Sequence, residues 1–222
     1  MTKEERLEKQ KKQLFEMRTF DNEYRRAYGQ IGGIDEVGRG PLCGPVVACC
    51  VVLPENIEIL GINDSKKLSK TAREKLYDQI LEEALAVGIG QRDNKVIDEI
   101  NILEATKQAM VESINKAQKM LQKRNLRLLD HVLIDAVTLN GISQSQNGIV
   151  KGDTKSLSIA AASIVAKVTR DRIMEAYAEQ YPGYGFESNM GYGTEKHYEG
   201  LRKYGITPIH RLSFLKSFMG NE

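Results

Sequence analysis

Histidine and cysteine are scarce in this chain of 222 residues, at three each, and no apolar run is long. The longest, Val46 to Leu53, falls far short of the roughly 20 residues that a membrane-spanning helix requires, and the N-terminal stretch is charged from Lys3 onward. Neither membrane insertion nor secretion is indicated. His131, His197 and His210 stand at no zinc-like spacing from Cys43, Cys49 and Cys50, so a structural zinc site is not expected. The cysteines lie in or beside the apolar run, where adjacent strand residues face opposite ways. They read as small core residues of a protein in a reducing, cytoplasmic compartment. Charge of one sign is also lacking: the formal net charge of +2 does not by itself announce a polyanion partner. There is no internal repeat or low-complexity segment, and 41% hydrophobic with 28% charged residues is ordinary for a globular chain. The length suits one well-filled core with extensions.

Residues 2–28 are rich in Lys, Glu and Arg, with Leu14, Met17, Tyr24 and Tyr28 at helical spacing, which predicts an amphipathic N-terminal helix packed outside the core. Gly32 and Gly33 open a first strand carrying Asp35. A Pro-Leu-Cys-Gly-Pro turn follows, and the β-branched run at 46–53 gives a second strand, antiparallel to the first. Ser69 starts a helix reaching about Glu83, and residues 84–90 read as a third strand. Ile97, Ile100, Leu103, Met110, Ile114, Ala117 and Leu121 mark one face of a single long helix. His131 to Ala136 is a short buried strand, Gly148 to Lys151 a further one, and residues 158–177 form a second long helix whose Ala160–Ser163 stretch allows close approach to a sheet. Glycine and proline punctuate the chain from Tyr181 onward, leaving a loop and one or two short helices as an accessory lobe. The segments expected are thus 1–28, 29–180 and 181–222.

What the chain does carry is carboxylate where bare charge is unexpected. Asp35 and Glu36, Asp135, and Asp153 each sit against an apolar or glycine-rich segment. If the fold gathers them, acids about 4 Å apart repel by roughly 4 kcal/mol per pair at an effective dielectric near 20. Some must then take up protons unless cations are present. Oxygen-only ligands suit hard ions such as Mg²⁺ or Mn²⁺. Lysine and arginine concentrate nearby, at 66–70, 151–155, 167–172 and 196–203. Lys151-Gly-Asp-Thr-Lys-Ser156 lacks the spacing of a phosphate-binding loop, so ATP binding is rejected.

Taken together, Ile34-Asp-Glu-Val-Gly-Arg-Gly-Pro41, Asp64-Ser-Lys-Lys-Leu-Ser69, Leu133-Ile-Asp135, Lys151-Gly-Asp153, Ala161-Ala-Ser-Ile-Val-Ala-Lys-Val-Thr-Arg-Asp171, Gly191-Tyr-Gly-Thr194 and His210-Arg-Leu-Ser-Phe214 closely resemble ribonuclease HII, the bacterial type 2 ribonuclease H. The resemblance covers about residues 30–214. It implies an α/β, ribonuclease H-like fold: a mixed five-stranded sheet flanked by helices, here with an N-terminal helix and a C-terminal helical lobe. It also implies endonucleolytic cleavage of RNA in RNA–DNA hybrids and at ribonucleotides embedded in duplex DNA. Asp35, Glu36, Asp135 and Asp153 match the family's catalytic, metal-binding acids. The expected chemistry is in-line attack on phosphorus by water, with two divalent ions about 3.5–4 Å apart, leaving a 3′-hydroxyl and a 5′-phosphate. Ideal strand alternation would send Asp35 and Glu36 to opposite faces, so the strand is expected to end directly after Glu36, with a bend at the following glycines.

Substrate contacts are expected from Gly38, Arg39 and Gly40, whose bare backbone can approach a 2′-hydroxyl while Arg39 pairs with phosphate. Lys66 and Lys67 are expected on phosphate. By resemblance, Tyr192 stacks on the sugar following the ribonucleotide. The sequence has Asn189-Met190 where a basic residue is common, which removes an expected phosphate contact at 190. Asp171 is expected to pair with Arg170 or Arg172. A monomer is expected; the tail Leu212–Phe218 has the look of a sliding-clamp peptide but reads better as a packed amphipathic end. The alternatives are a related nuclease cutting DNA alone and a noncatalytic hybrid-binding module.

Overall fold

The computed structural model describes residues 2–220, so positions 1 and 221–222 of the expected end segments lie outside the described residues. In chain order the elements are α1 (Lys3–Tyr28), β1 (Ile31–Val37), β2 (Val46–Val52), α2 (Lys70–Glu83), β3 (Ala86–Arg92), α3 (Asn94–Ile100), α4 (Ile102–Lys123), β4 (His131–Asp135), β5 (Ser145–Ile149), α5 (Leu157–Gln180), α6 (Phe186–Asn189), α7 (Glu195–Tyr204) and α8 (Lys216–Met219). The strands form one mixed sheet in the order β3-β2-β1-β4-β5. β1 runs antiparallel to β2 and β2 to β3, whereas β4 is parallel to both β1 and β5.

Every residue of β2 is buried, as the continuous apolar run requires of a central strand covered on both faces. α4 covers one face. Gly88 and Gly90 of β3 lie so close to the carbonyls of Ser113 and Ala109 that a Cβ at either would collide with the helix backbone. α5 covers the other face, with Ala160, Ala161 and Ala162 fully buried against β2. Gly33 of β1 likewise leaves room for the α5 backbone at Ser158. Among the described residues, no helix is long and apolar enough to cross a membrane.

Two expectations are corrected. The helix expected to run unbroken past Ile97 is two helices, α3 and α4. The break is Asn101, at φ 70°, whose side-chain oxygen accepts from the amides of Leu103 and Glu104 and so caps α4. The strand expected at 148–151 instead spans Ser145–Ile149, and Lys151 is left-handed at φ 56°. Polar side chains anchor this edge strand: Gln146 pairs with both backbone groups of Leu139, and the Ser145 hydroxyl lies 2.7 Å from His131 Nδ1. It therefore lacks an apolar alternation to read.

Residues from Tyr184 onward gather round their own apolar cluster, in which Tyr184, Phe186, Leu201, Ile209 and Leu215 pack with Leu42, Cys43 and Met174. Leu215, in the middle of the clamp-like stretch, is buried there, and Phe218 packs against the same cluster.

The N-terminal helix does more than lie on the surface. Leu14 and Met17 join the α5 side of the core, and Asp21 is buried. Its Oδ1 accepts from the Ser156 hydroxyl at 2.6 Å, and its Oδ2 from the Ser158 amide and hydroxyl at 2.9 and 2.6 Å. Ser156 is the N-cap of α5, so a carboxylate from α1 completes that helix start. Asp21→Ala would leave three buried donors unpaired, at a cost on the order of 3 kcal/mol. At this chain length a melting temperature lower by about 6–12 °C is expected in a thermal scan; an unchanged one would show the pin to be idle.

Candidate active site

β1 and β4 are parallel and in register through Ile34 and Ile134, so Asp35 and Asp135 are the next residues on neighbouring strands and share a face. Register alone thus brings the first two acids together at the carboxyl end of the sheet. Asp135 Oδ1 accepts from the Gly152 amide at 2.8 Å. That bond fastens the short 3-10 turn Gly152–Thr154, and with it Asp153, against the end of β4. Asp35, Glu36, Asp135 and Asp153 line one cavity of about 310 Å³, together with Val37, Ser65, Lys66, Ser163, Lys167 and Tyr192.

The expectation that β1 stops at Glu36 is not met. Glu36 and Val37 still pair with Ala48 and Val47. Both acids reach the cavity because it opens off the carboxyl ends of β1 and β4, where side chains from either face meet. Glycine still matters directly afterward: Gly38 has φ 93°, and a Cβ there would strike the Arg170 side chain.

Charge in the cavity is poorly compensated. Asp35 is 7% exposed, and its Oδ1 accepts the neighbouring Glu36 amide at 2.8 Å. Burial first, and then Glu36, push its carboxyl well above the ordinary range. Burial also raises Glu36, with Arg39 offsetting part of the effect. Asp153 is raised by burial and then by Asp64 and Asp135. Glu36 Oε2 is buried without a hydrogen-bond partner among the described residues, while its Oε1 lies 3.3 Å from Arg39. A larger cavity of about 550 Å³ on α4 makes the contrast, for its acids Glu104 and Glu112 are paired with Lys107, Arg92 and Lys116. An orphaned buried carboxylate oxygen, raised acids and an oxygen-only donor set fit hard divalent cations.

The predicted substrate residues divide. Tyr192, 46% exposed, stands at the cavity rim, and an ideal Cβ on Gly40 would lie 3.6 Å from its ring. Lys66 lines the cavity. Lys67 is not among the lining residues and sits 3.9 Å from Asp64. Arg39 is turned to Glu36 instead of standing free for phosphate. Met190, left-handed at φ 49°, packs against the lobe's apolar cluster.

The chain matches the sequence profile of Ribonuclease HII over residues 32–217. It is 55% identical to the Ribonuclease HII of Clostridioides difficile over 214 residues, covering 96% of this chain and 81% of that protein. This chain belongs to the ribonuclease HII family. The Ribonuclease HII of Enterococcus faecalis is also 55% identical, over 91% of this chain and 76% of its own length. The ribonuclease H2 of Pyrococcus horikoshii has a similar structure, with a TM-score of 0.69 at 28% identity, covering 86% of this chain and 98% of that one. The protein is accordingly a metal-dependent ribonuclease H, an endonuclease acting on the RNA of RNA–DNA hybrids.

Several residues of this family member's cavity escaped the sequence reading. The hydroxyls of Ser65 and Ser163 are 2.9 Å apart beneath the acids. Lys167, one turn beyond Ser163, also faces the cavity and donates to Asp171 at 2.6 Å. Asp171 pairs with Lys167 and, at 3.7 Å, Arg73, not with Arg170 or Arg172. An i,i+4 neighbour shares its helix face, whereas adjacent residues point elsewhere. Cys43, read as a plain core residue, lies beside His197 and His210, three ligand-type atoms within 4.8 Å that sequence spacing gave no sign of.

In the unfolded chain Asp35 ionises near 3.8, but in the fold only at higher pH, so between the two the folded state holds the extra proton. Stability of the metal-free protein should therefore fall as pH rises from the unfolded value through the raised folded one. Asp35→Asn removes that fall. At pH 7 in EDTA the variant should melt a few degrees above the parent, at roughly 2–4 °C per kcal/mol relieved. The two should converge on acidification toward 3.8, as calorimetric scans would record.

Proposed function

We propose that this enzyme cleaves both RNA–DNA hybrids and duplex DNA at single embedded ribonucleotides, leaving a 3′-hydroxyl and a 5′-phosphate. The observation that carries the reading is the convergence of four carboxylates from three separate segments on one cavity, next to a glycine loop and an exposed tyrosine. Asp35, Glu36, Asp135 and Asp153 would hold two divalent ions, Mg²⁺ or Mn²⁺. Bound there, such ions supply a more acidic water and neutralise charge on the leaving oxygen.

The chain's own residues contribute position. Asp135 and Asp153 are tied together through the Gly152 amide, so the acid set is ordered before substrate arrives. Gly38-Arg39-Gly40 presents backbone with no side chain at Gly40, which lets a ribose 2′-hydroxyl come close to peptide groups facing Tyr192. The Tyr192 ring is suited to stacking on the following sugar, where an additional hydroxyl would be obstructed; this supports a preference for RNA-to-DNA junctions. Arg39 would exchange Glu36 for phosphate once cations neutralise the acid. Lys66 supplies positive charge at the cavity wall.

With saturating Mg²⁺, Asp135→Asn should reduce cleavage of a DNA duplex bearing one ribonucleotide by about 10²–10³-fold or more, the scale of losing one strong electrostatic contact in an active site. Retained full activity would remove Asp135 from the mechanism, and cleavage of an all-DNA duplex would favour a different nuclease class. Binding measured without turnover over a range of salt concentrations separates the lysines. Lys66→Ala should flatten the slope of log K against log salt by about 0.9, whereas Lys67→Ala, outside the cavity, should change it less.

A further inference from the structure

Tyr192 stands in a loop whose ring is half in solvent, yet its backbone is braced from several sides. Its amide donates to the Asn189 carbonyl at 2.9 Å, and its carbonyl accepts from Thr194 at 2.8 Å. The same carbonyl lies 2.9 Å from His197 Nδ1. His197 Nε2 in turn lies 3.0 Å from His210 Nε2, and both rings are fully buried or nearly so. His210 Nδ1 accepts the Thr207 amide at 2.9 Å, with the Thr207 hydroxyl 2.7 Å away.

These contacts fix every ring proton. A backbone amide can only donate, so His210 Nδ1 is an acceptor and its hydrogen is on Nε2. That hydrogen points at His197 Nε2, which must therefore accept. The His197 hydrogen is left on Nδ1, where it meets a carbonyl that can only accept. Both ends of the chain demand the same two tautomers, with both rings neutral; burial lowers the pKa of each, that of His210 to about 4.

The Cys43 sulfur lies beside both rings, but all four ring nitrogens are already engaged in the hydrogen-bond chain. A metal on His210 Nε2 would require the hydrogen on Nδ1, facing the Thr207 amide hydrogen. Burial also pushes the Cys43 thiol up to about 12, so a neutral thiol stands beside the two neutral rings. His210 is bridged to Cys43 by backbone pairing, and the Gly44 amide donates to the Ile209 carbonyl at 2.9 Å. The pair thus connects the segment following the Gly38–Gly40 loop to the tyrosine loop opposite.

We propose that His197 and His210 are positioning residues for Tyr192: a one-directional hydrogen-bond chain ends on its carbonyl, fixes the ring opposite Gly40, and thereby sets the preference for ribonucleotide–DNA junctions. This rests on the role assigned to Tyr192 above, and the experiment separates the two. For wild type, Tyr192→Ala, His197→Asn and His197→Gln, kcat and KM are measured on a duplex with one embedded ribonucleotide and on a uniform RNA–DNA hybrid. Asparagine sets its amide nitrogen where Nδ1 lies and keeps the donor to Tyr192; glutamine sets its amide at the Nε2 position and does not. His197→Gln should lower the junction-to-hybrid ratio of kcat/KM about tenfold, the scale of one hydrogen bond, while His197→Asn, which keeps the donor to Tyr192 but loses the acceptor for His210, should lie between it and wild type. If Tyr192→Ala lowers the ratio and His197→Gln leaves it unchanged, the relay is wrong; if Tyr192→Ala itself leaves the ratio unchanged, the role of Tyr192 is wrong and the relay loses its purpose. Nitrogen-15 NMR of the wild-type rings gives a readout independent of activity and of variant folding. It should report a hydrogen on Nδ1 of His197 and on Nε2 of His210, and any other pair of tautomers, or a metal-shifted pair, overturns the proposal.

Discussion

Two fully buried guanidinium groups hold together the loop beside the candidate site, and among the described residues neither has a carboxylate hydrogen-bonded to it. Arg170 of α5 donates to the carbonyls of Pro45, Met190 and Cys43 at 2.9–3.1 Å. Arg211 donates to those of Gly44, Arg39 and Gly38 at 2.6–3.0 Å. Taking such a charge out of water costs several kcal/mol, and burial together with Arg170 lowers the Arg211 pKa to about 9. The cost is tolerable because the carbonyls of Gly38, Arg39, Cys43, Gly44 and Pro45 point at these groups and need donors themselves. A helix of the core and a strand-like segment of the lobe therefore grip the same loop, residues 38–45, from two sides. The geometry of Gly38 follows, since any side chain there would displace Arg170.

The acids present the opposite problem. Where the guanidinium groups find dipoles, Asp35 has Glu36 for a neighbour, and Glu36 meets Arg39 with one oxygen while its Oε2 has no partner among the described residues. Stability alone would replace them with apolar residues, as at most other positions of β1 and β2. That unfavourable charge is what the proposed divalent ions would offset. The molecule thus places its buried cations where they organise backbone and its poorly compensated anions around an open cavity, separated by the strand end at Val37.

Much of this was legible in the sequence, and the parts that were not have specific reasons. β1, β2, α2, β4 and α5 announce themselves through β-branched runs, an N-cap serine and an alanine-rich face. The break at Asn101 was hidden by apolar spacing that continues across it, because α3 and α4 both bury their faces. β5 was displaced in the reading because polar side chains, not an apolar face, hold it. At the site, the acids stood out as charge in apolar surroundings, but their convergence depends on the β1–β4 register, which no local pattern encodes. Ser163 and Lys167 lie inside a helix that reads as core, the contacts of Arg170 and Arg211 reach a loop distant in sequence, and those of His197 and His210 join residues within one segment of the lobe. Residues whose work is done on backbone carbonyls leave no pairing partner among side chains for a reader to notice.

The same consideration explains why the N-terminal helix can bear on a site that it does not touch. Asp153 stands on a turn held at one side by the Asp135 carboxylate, through the Gly152 amide, and followed at the other by the start of α5. That helix start is closed by Asp21, so a residue of α1 fixes the far boundary of the turn carrying an acid of the site. Repelling carboxylates cannot hold one another in place by charge, so the backbone segments that carry them must do so. Asp35 is held by the sheet, Asp135 by register and the Gly152 amide, and Asp153 by a turn clamped between β4 and α5. Preorganisation of the acids therefore extends outward to the N-terminal helix, whose buried aspartate belongs to the same structural chain as the cavity 310 Å³ in volume that it never reaches.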